Sequence, residues 1–203
     1  MLYDSVINIK EVNHQKNITL AKEVAKSDYF LAIGRLTKQK NFSLLINACD
    51  EFSKINSHYK LLIIGEGEEY KKIINMIYKL RLENKIILLG FKKNVYKYLK
   101  NSKAFILTSL WEEMGFVIIE AASCNTLIIS SDCPNGPSEF LNHGKAGYLF
   151  KNNSVDDLVH NLKKFDRDEK NIKYNKILLA KKNVKKFTIF NHYKELKKIL
   201  DSK

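Results

Sequence analysis

The chain is poor in the residues that break, staple or rigidly anchor a polypeptide. Its 203 residues include two prolines, three cysteines and one tryptophan, and three of its 35 basic residues are arginine (Arg35, Arg81 and Arg167). Cys49, Cys124 and Cys133 are odd in number and lack metal or redox spacing. They exclude a disulfide scaffold and read as reduced thiols in a cytoplasmic protein. No apolar run approaches the roughly 20 residues of a membrane helix; the best, LLII and IILL, are strand-length. The opening MLYDSVINIK holds no apolar signal core, so export is not expected. The histidines, His143 and His192 among them, have no ligand spacing, and no internal repeat or low-complexity segment is present.

With arginine scarce, the formal net charge of +13 rests on lysine, in a chain also rich in asparagine and isoleucine. That bias fits AT-rich coding better than a nucleic-acid surface, and no stretch resembles a nucleic-acid module. The plain reading is a solvated surface. The functional one is peripheral contact with the acidic inner face of a membrane.

What is present is a regular alternation of apolar runs and amphipathic stretches. Strands are expected at 29–34, 60–65, 85–90, 103–109 and 126–132, with a short sixth at 147–150. Helices are expected at 41–55, 68–82, 95–100 and 115–124, then near 154–165, 169–184 and 188–201. Near-continuous apolar strands separated by helices predict a parallel sheet covered on both faces, hence an α/β, Rossmann-like domain of about six strands. Residues 1–27 are polar with weak periodicity and read as a linker or tail, 28–186 as the domain, and 187–203 as a closing helix.

In such a fold, ligands bind beyond the carboxyl ends of the strands. The glycine and polar clusters fall there: Gly34-Arg35, Gly65-Glu66-Gly67, Gly90-Phe91, the Ser109–Gly115 loop and the Asp132–Glu139 loop. Arg35 and Lys40 lie five residues apart across a strand-to-helix loop, so both can reach one diphosphate; the plain alternative is a solvated pair. Glu112 and Glu120 lie eight apart and flank Gly115, which opens an apolar helix. That helix end suits a phosphate, and carboxylates on either side accept from hydroxyls. Glu120 sits among Phe116, Val117, Ile118, Ile119, Ala121 and Ala122, where a carboxylate requires a partner. An anion beside a polyol describes a nucleotide-sugar. Gly65-Glu66-Gly67-Glu68 lacks the third glycine of a dinucleotide fingerprint and follows the wrong strand, so a nicotinamide cofactor is not expected. Both prolines stiffen the 132–139 loop, and Asp166-Arg-Asp168, away from this edge, is not taken as a metal site.

These residues resemble a known family. GRLTKQKNFSLLINA, LLIIGEGEEY, IILLGF, SLWEEMGFVIIEAASC and ISSDCPNGPSEFL, then HGKAGYLF and KKFTIFNHYKEL, occur in the order of the C-terminal donor-binding domain of retaining family 4 (glycosyl transferases group 1) glycosyltransferases. The resemblance covers about 28–200 and implies one half of a GT-B fold, a UDP- or GDP-sugar donor and retaining transfer to a glycan or lipid-linked acceptor, in the family's usual setting of bacterial surface polysaccharide or lipopolysaccharide synthesis. It implies no metal or other cofactor. By resemblance, Glu112 is the first acid of an E-x7-E motif beside the sugar and Glu120 the second, on the ribose. Arg35 and Lys40 are the basic pair on the diphosphate. The backbone of Gly115, Phe116 and Val117 receives phosphate, Gly90 and Phe91 contact the base, and Gly34 and Gly65 complete the donor set. Glu113 and Met114 depart from the family's usual glycine and aromatic. LYDSVIN looks like the interdomain linker, so the chain is expected to be half an enzyme needing an N-terminal partner. The competing expectation is a non-catalytic nucleotide-sugar-binding fragment.

Overall fold

A six-stranded sheet in the order β3-β2-β1-β4-β5-β6 forms the centre of the molecule, with every neighbouring pair parallel. The structure is a computed structural model and describes residues 7–21 and 27–201. The strands are β1 (Tyr29–Ile33), β2 (Lys60–Ile64), β3 (Ile86–Leu88), β4 (Ala104–Leu107), β5 (Ile128–Ser131) and β6 (Tyr148–Phe150). Between and around them lie helices α1 (Ile9–Gln15), α2 (Phe42–Ser53), α3 (Tyr70–Lys79), α4 (Tyr96–Asn101), α5 (Phe116–Ser123), α6 (Pro137–Phe140), α7 (Val155–Arg167), α8 (Lys170–Val184) and α9 (Ile189–Asp201).

Each strand feeds two cores because alternate side chains leave opposite faces. Phe30, Ala32, Leu61, Ile63 and Ile106 pack with residues of α2, α3 and α7 on one side. Tyr29, Leu31, Leu62, Ile64, Phe105 and Leu107 pack with residues of α1, α4, α5 and α8 on the other. Burial on both faces is why these strands read as unbroken apolar runs rather than alternating ones. The expected α/β architecture is the one observed.

Besides the short α6, which falls where a loop is expected, two segments differ from the sequence expectation. Residues 7–21 are folded rather than trailing: Asn8 Oδ1 accepts from the N–H groups of Lys10 and Glu11 to cap α1, and Val12 and Leu20 are buried. Ile7 pairs with Thr188 in a parallel bridge, donating to Phe187 O (3.1 Å) and accepting from Ile189 N (3.2 Å). Three apolar residues at irregular spacing carry no periodic signal, and their partners are remote in sequence. The remainder of the 1–27 segment, residues 1–6 and 22–26, lies outside the described residues, as do 202–203 of the closing segment. The second difference is at the strand ends. β4 stops at Leu107, so Thr108 and Ser109 belong to the following loop, where their hydroxyls are committed to neighbouring groups.

Helix α9 buries none of its residues and exposes Ile189, Phe190, Tyr193 and Leu200. With Ile7 and Ile9 the start of this helix lines an apolar groove of about 460 Å³. Among the described residues no helix is long and apolar enough to cross a membrane.

Candidate functional site

The chain moves outward from β1 to β3, then returns to place β4 beside β1. At that reversal the loops leaving β1 and β4 diverge, and a crevice opens beyond the carboxyl ends of the strands. It is a cleft of about 500 Å³ lined by Gly34, Arg35, Lys40, Glu112, Gly115, Phe116, Val117 and Glu120, with Gln39, Trp111, Glu113 and Met114. Residues as far apart in sequence as Gly34 and Glu120 thus share one cavity.

The two loops are laced together. Leu110 N donates to Gln39 O (2.8 Å), Gln39 Nε2 to Trp111 O (2.9 Å), and Thr108 Oγ1 to Lys40 O (2.8 Å). Lys40 closes a one-turn 3-10 segment, Lys38–Lys40, and its stem lies over Gly34. A Cβ on Gly34 would sit 3.3 Å from Lys40 Cγ, Cδ and Cε, so the glycine here provides clearance for the lysine. Lys40 Nζ then reaches Glu112 Oε1 at 2.5 Å, and Ser109 Oγ donates to the same oxygen at 2.5 Å. Glu112 is buried at 6% exposure and Ser109 is fully buried.

This arrangement alters one expectation. Lys40 is not a free partner of Arg35 but is engaged by Glu112, whereas Arg35 is exposed and has no ion pair among the described residues. The loop from Asp132 to Glu139 does not line the cleft but braces it. Pro134 O accepts from Glu112 N (3.2 Å), and Gly136, at φ +105°, brings its Cα within reach of Met114, where an added Cβ would stand 3.0 Å from Met114 O.

Gly115 adopts φ +62°, ψ +46°, a left-handed conformation that turns the chain directly into α5. No side chain among the described residues caps α5. Ile118 N closes on Gly115 O at 2.8 Å, while no acceptor among the described residues takes the N–H of Phe116 or Val117. A helix start with free N–H groups facing a cleft attracts an anion.

Glu120, one and a half turns along α5, accepts from Tyr96 Oη at 3.3 Å. Burial pushes its carboxyl above the usual glutamate range, and the tyrosine hydrogen bond only partly offsets this. The folded state therefore favours the protonated form, a stabilisation that is present at acidic pH and lost as the pH rises through the raised value. At neutral pH the burial of this carboxyl therefore costs stability. Glu120→Gln is expected to raise the denaturation midpoint at pH 7, with the gain shrinking toward pH 4; an equal gain at both pH values would contradict this.

Gly65, Gly90 and Phe91 stand outside the cleft, in the adjoining β2 and β3 loops. Gly65 N donates to Gly90 O (3.1 Å), Phe91 N to Glu66 Oε1 (3.3 Å), and Leu36 N to Glu66 O (2.8 Å), which ties these loops to the one after β1. The Phe91 ring is 68% exposed on the same edge of the sheet. Asp166 and Asp168 serve as anchors: Asp166 accepts from Tyr59 Oη (3.1 Å) and Asn56 Nδ2 (3.0 Å), and Asp168 from Tyr148 Oη (2.6 Å).

Sequence reading missed Ser109, Gln39, Trp111 and the role of Pro134. The Ser-x-x-Glu spacing from Ser109 to Glu112 and the single tryptophan beside it were the available signals.

The profile of a family described as Glycosyl transferases group 1 matches residues 13–184. A glycosyltransferase of Methanocaldococcus jannaschii is 39% identical over 141 residues, covering 68% of this chain and 35% of that protein. The N-acetylgalactosamine-N,N'-diacetylbacillosaminyl-diphospho-undecaprenol 4-alpha-N-acetylgalactosaminyltransferase of Campylobacter jejuni is 33% identical over 145 residues, covering 71% and 39%. Among solved structures, a mutant of S. aureus TarM in complex with Fondaparinux, alpha-GlcNAc-glycerol and UDP superposes with a TM-score of 0.78 at 26% identity, covering 91% of this chain and 37% of that one. The chain spans well under half the length of each of these relatives.

Proposed function

Because this chain belongs to the glycosyl transferases group 1 family, we propose that its cleft binds a UDP- or GDP-sugar as donor for retaining transfer to a glycan or lipid-linked acceptor. The observation that carries the reading is the pairing of chemistries across one cavity. Arg35 and the uncapped start of α5 suit a diphosphate, and Glu112 and Glu120 suit hydroxyls on either side of it. A relative in Campylobacter jejuni named for transfer onto a diphospho-undecaprenol compound, and the S. aureus neighbour crystallised with UDP, support this class of donor and acceptor.

As the anomeric bond breaks, the departing nucleoside diphosphate gains charge. Arg35 and the amide groups of Phe116 and Val117 stabilise that charge without reorganising, so no metal is required. Departure and attack on one face of the sugar account for retention, with neither glutamate as nucleophile. Glu120→Ala is expected to weaken calorimetric affinity for a UDP- or GDP-sugar about tenfold, the loss of roughly 1.4 kcal/mol. Unchanged affinity across a panel of such sugars would refute the assignment.

Transfer itself is proposed for this chain together with an N-terminal companion half, since the match covers only 35% and 39% of the two relatives' lengths. The exposed apolar face of α9 and its groove favour such a partner. A competing reading, a binding fragment without activity, predicts no transfer even when the companion is co-expressed. Peripheral contact with an acidic membrane is part of the same proposal; salt-insensitive or absent binding to anionic liposomes would remove it.

A further inference from the structure

Glu112 Oε1 receives two short hydrogen bonds, one from Lys40 Nζ and one from Ser109 Oγ, each 2.5 Å. No partner among the described residues takes Oε2. Ser109 is itself held from behind: its carbonyl accepts from Ser131 Oγ on β5 at 2.7 Å, and both serines are fully buried. A chain of contacts thus runs from the carboxyl end of β5 to the cleft, Ser131 to Ser109 to Glu112. A buried carboxylate with one donor can rotate about its last torsion, which is broad for glutamate. Two donors converging on one oxygen from different loops fix that rotation.

We propose that Ser109 is a positioning residue for Glu112: by saturating Oε1 together with Lys40, it leaves Oε2 as the oxygen offered to the hydroxyls of the donor's sugar. This rests on the donor-site reading above and deepens it. Ser109 does not line the cleft, so its effect on a ligand passes through Glu112. Its contribution is therefore confined to the sugar. A nucleoside diphosphate, held by Arg35 and the start of α5, does not require a particular Glu112 rotation.

Ser109→Ala and Ser130→Ala form the test. Ser130 is an equally buried serine whose hydroxyl bonds to Ser131 O (3.0 Å) and touches nothing in the cleft. Calorimetric titration of the chain with UDP, UDP-glucose, GDP and GDP-mannose gives, for each base, the ratio of affinities for sugar-bearing and bare nucleotide. Ser109→Ala is expected to lower that ratio about tenfold, the scale of a hydrogen bond to a charged group, and Ser130→Ala to leave it within twofold. Equal losses for both ligands in Ser109→Ala, or the same change in both variants, would reduce Ser109 to a packing role and overturn the proposal. A crystal structure of Ser109→Ala supplies an answer that needs no ligand. Glu112 is expected in more than one orientation there, and retention of its single orientation on Lys40 overturns the proposal. Failure of the unmodified chain to bind any of the four nucleotides refutes the donor-site reading instead, and the crystallographic result still decides the role of Ser109.

Discussion

Glu112→Ala is expected to destabilise the chain by about 3 kcal/mol and to abolish measurable discrimination for the donor sugar. The stability loss follows from burial. Glu112 and Lys40 retain 7% and 15% of their side-chain exposure, so truncating one partner leaves a largely buried charge unpaired. The ion pair is nonetheless not needed for folding in itself. Desolvating both charges costs about as much as their attraction returns, and apolar replacements of similar size are often neutral or stabilising. The double variant Lys40→Met/Glu112→Leu is therefore expected to recover most of the lost stability in urea denaturation while remaining unable to bind a nucleotide-sugar. A double variant as unstable as Glu112→Ala would show that the pair stabilises the fold. One that binds donor normally would show that the pair does not serve the ligand. The separation matters because a cleft kept for chemistry rather than stability also accounts for Glu120, which is burdened by burial at neutral pH.

Gly65→Ala is the second large effect. Gly65 lies at φ +145°, and a Cβ built there would stand 1.9 Å from the carbonyl oxygen of Gly34. No side-chain rotation relieves a clash between two backbones, so the β1 and β2 loops must separate. The loss is expected to reach several kcal/mol, a large share of the 5–15 kcal/mol that holds a typical domain folded. Gly144 provides the control. It also has positive φ (+85°), but nothing lies within 4 Å of its added Cβ. Gly144→Ala is therefore expected to cost only the conformational penalty, about 1–2 kcal/mol. Similar denaturation midpoints for the two variants would show that the close approach at Gly65 is unimportant. Because Gly34 lies beneath the Lys40 stem, any Gly65→Ala protein that folds is also expected to bind donor poorly.

Much of the fold was legible along the chain. Six apolar runs bounded by glycine or polar residues predicted six parallel strands, because burial on both faces demands unbroken hydrophobicity. The helices from 42 onward, the short α6 excepted, followed from spacing, and their observed ends differ from expectation by at most three residues. Helix α1 was not legible. Ile7, Val12 and Leu20 are buried by contacts with distant elements, and nothing in their spacing announces it. Within the site, Arg35, Lys40, Glu112 and Glu120 were recognisable as residue types in the segments that follow β1 and β4, and the structure gathers them in one cleft. Ser109 was overlooked because a serine at a strand exit looks like part of the strand or of a turn until its partner is seen.

Sequence alone determined which residues stand at the rim, since local patterning places Arg35 and Lys40 after β1 and Glu112 and Glu120 after β4. Tertiary structure decided how they combine. The reversal that sets β4 beside β1 brings Lys40 onto Glu112, and this turns an expected pair of phosphate-binding cations into one arginine without an ion pair among the described residues and one lysine bound to a carboxylate. Charge pairing over 72 positions is a property of strand order, and strand order is set by which faces must be buried together rather than by any residue within reach along the chain.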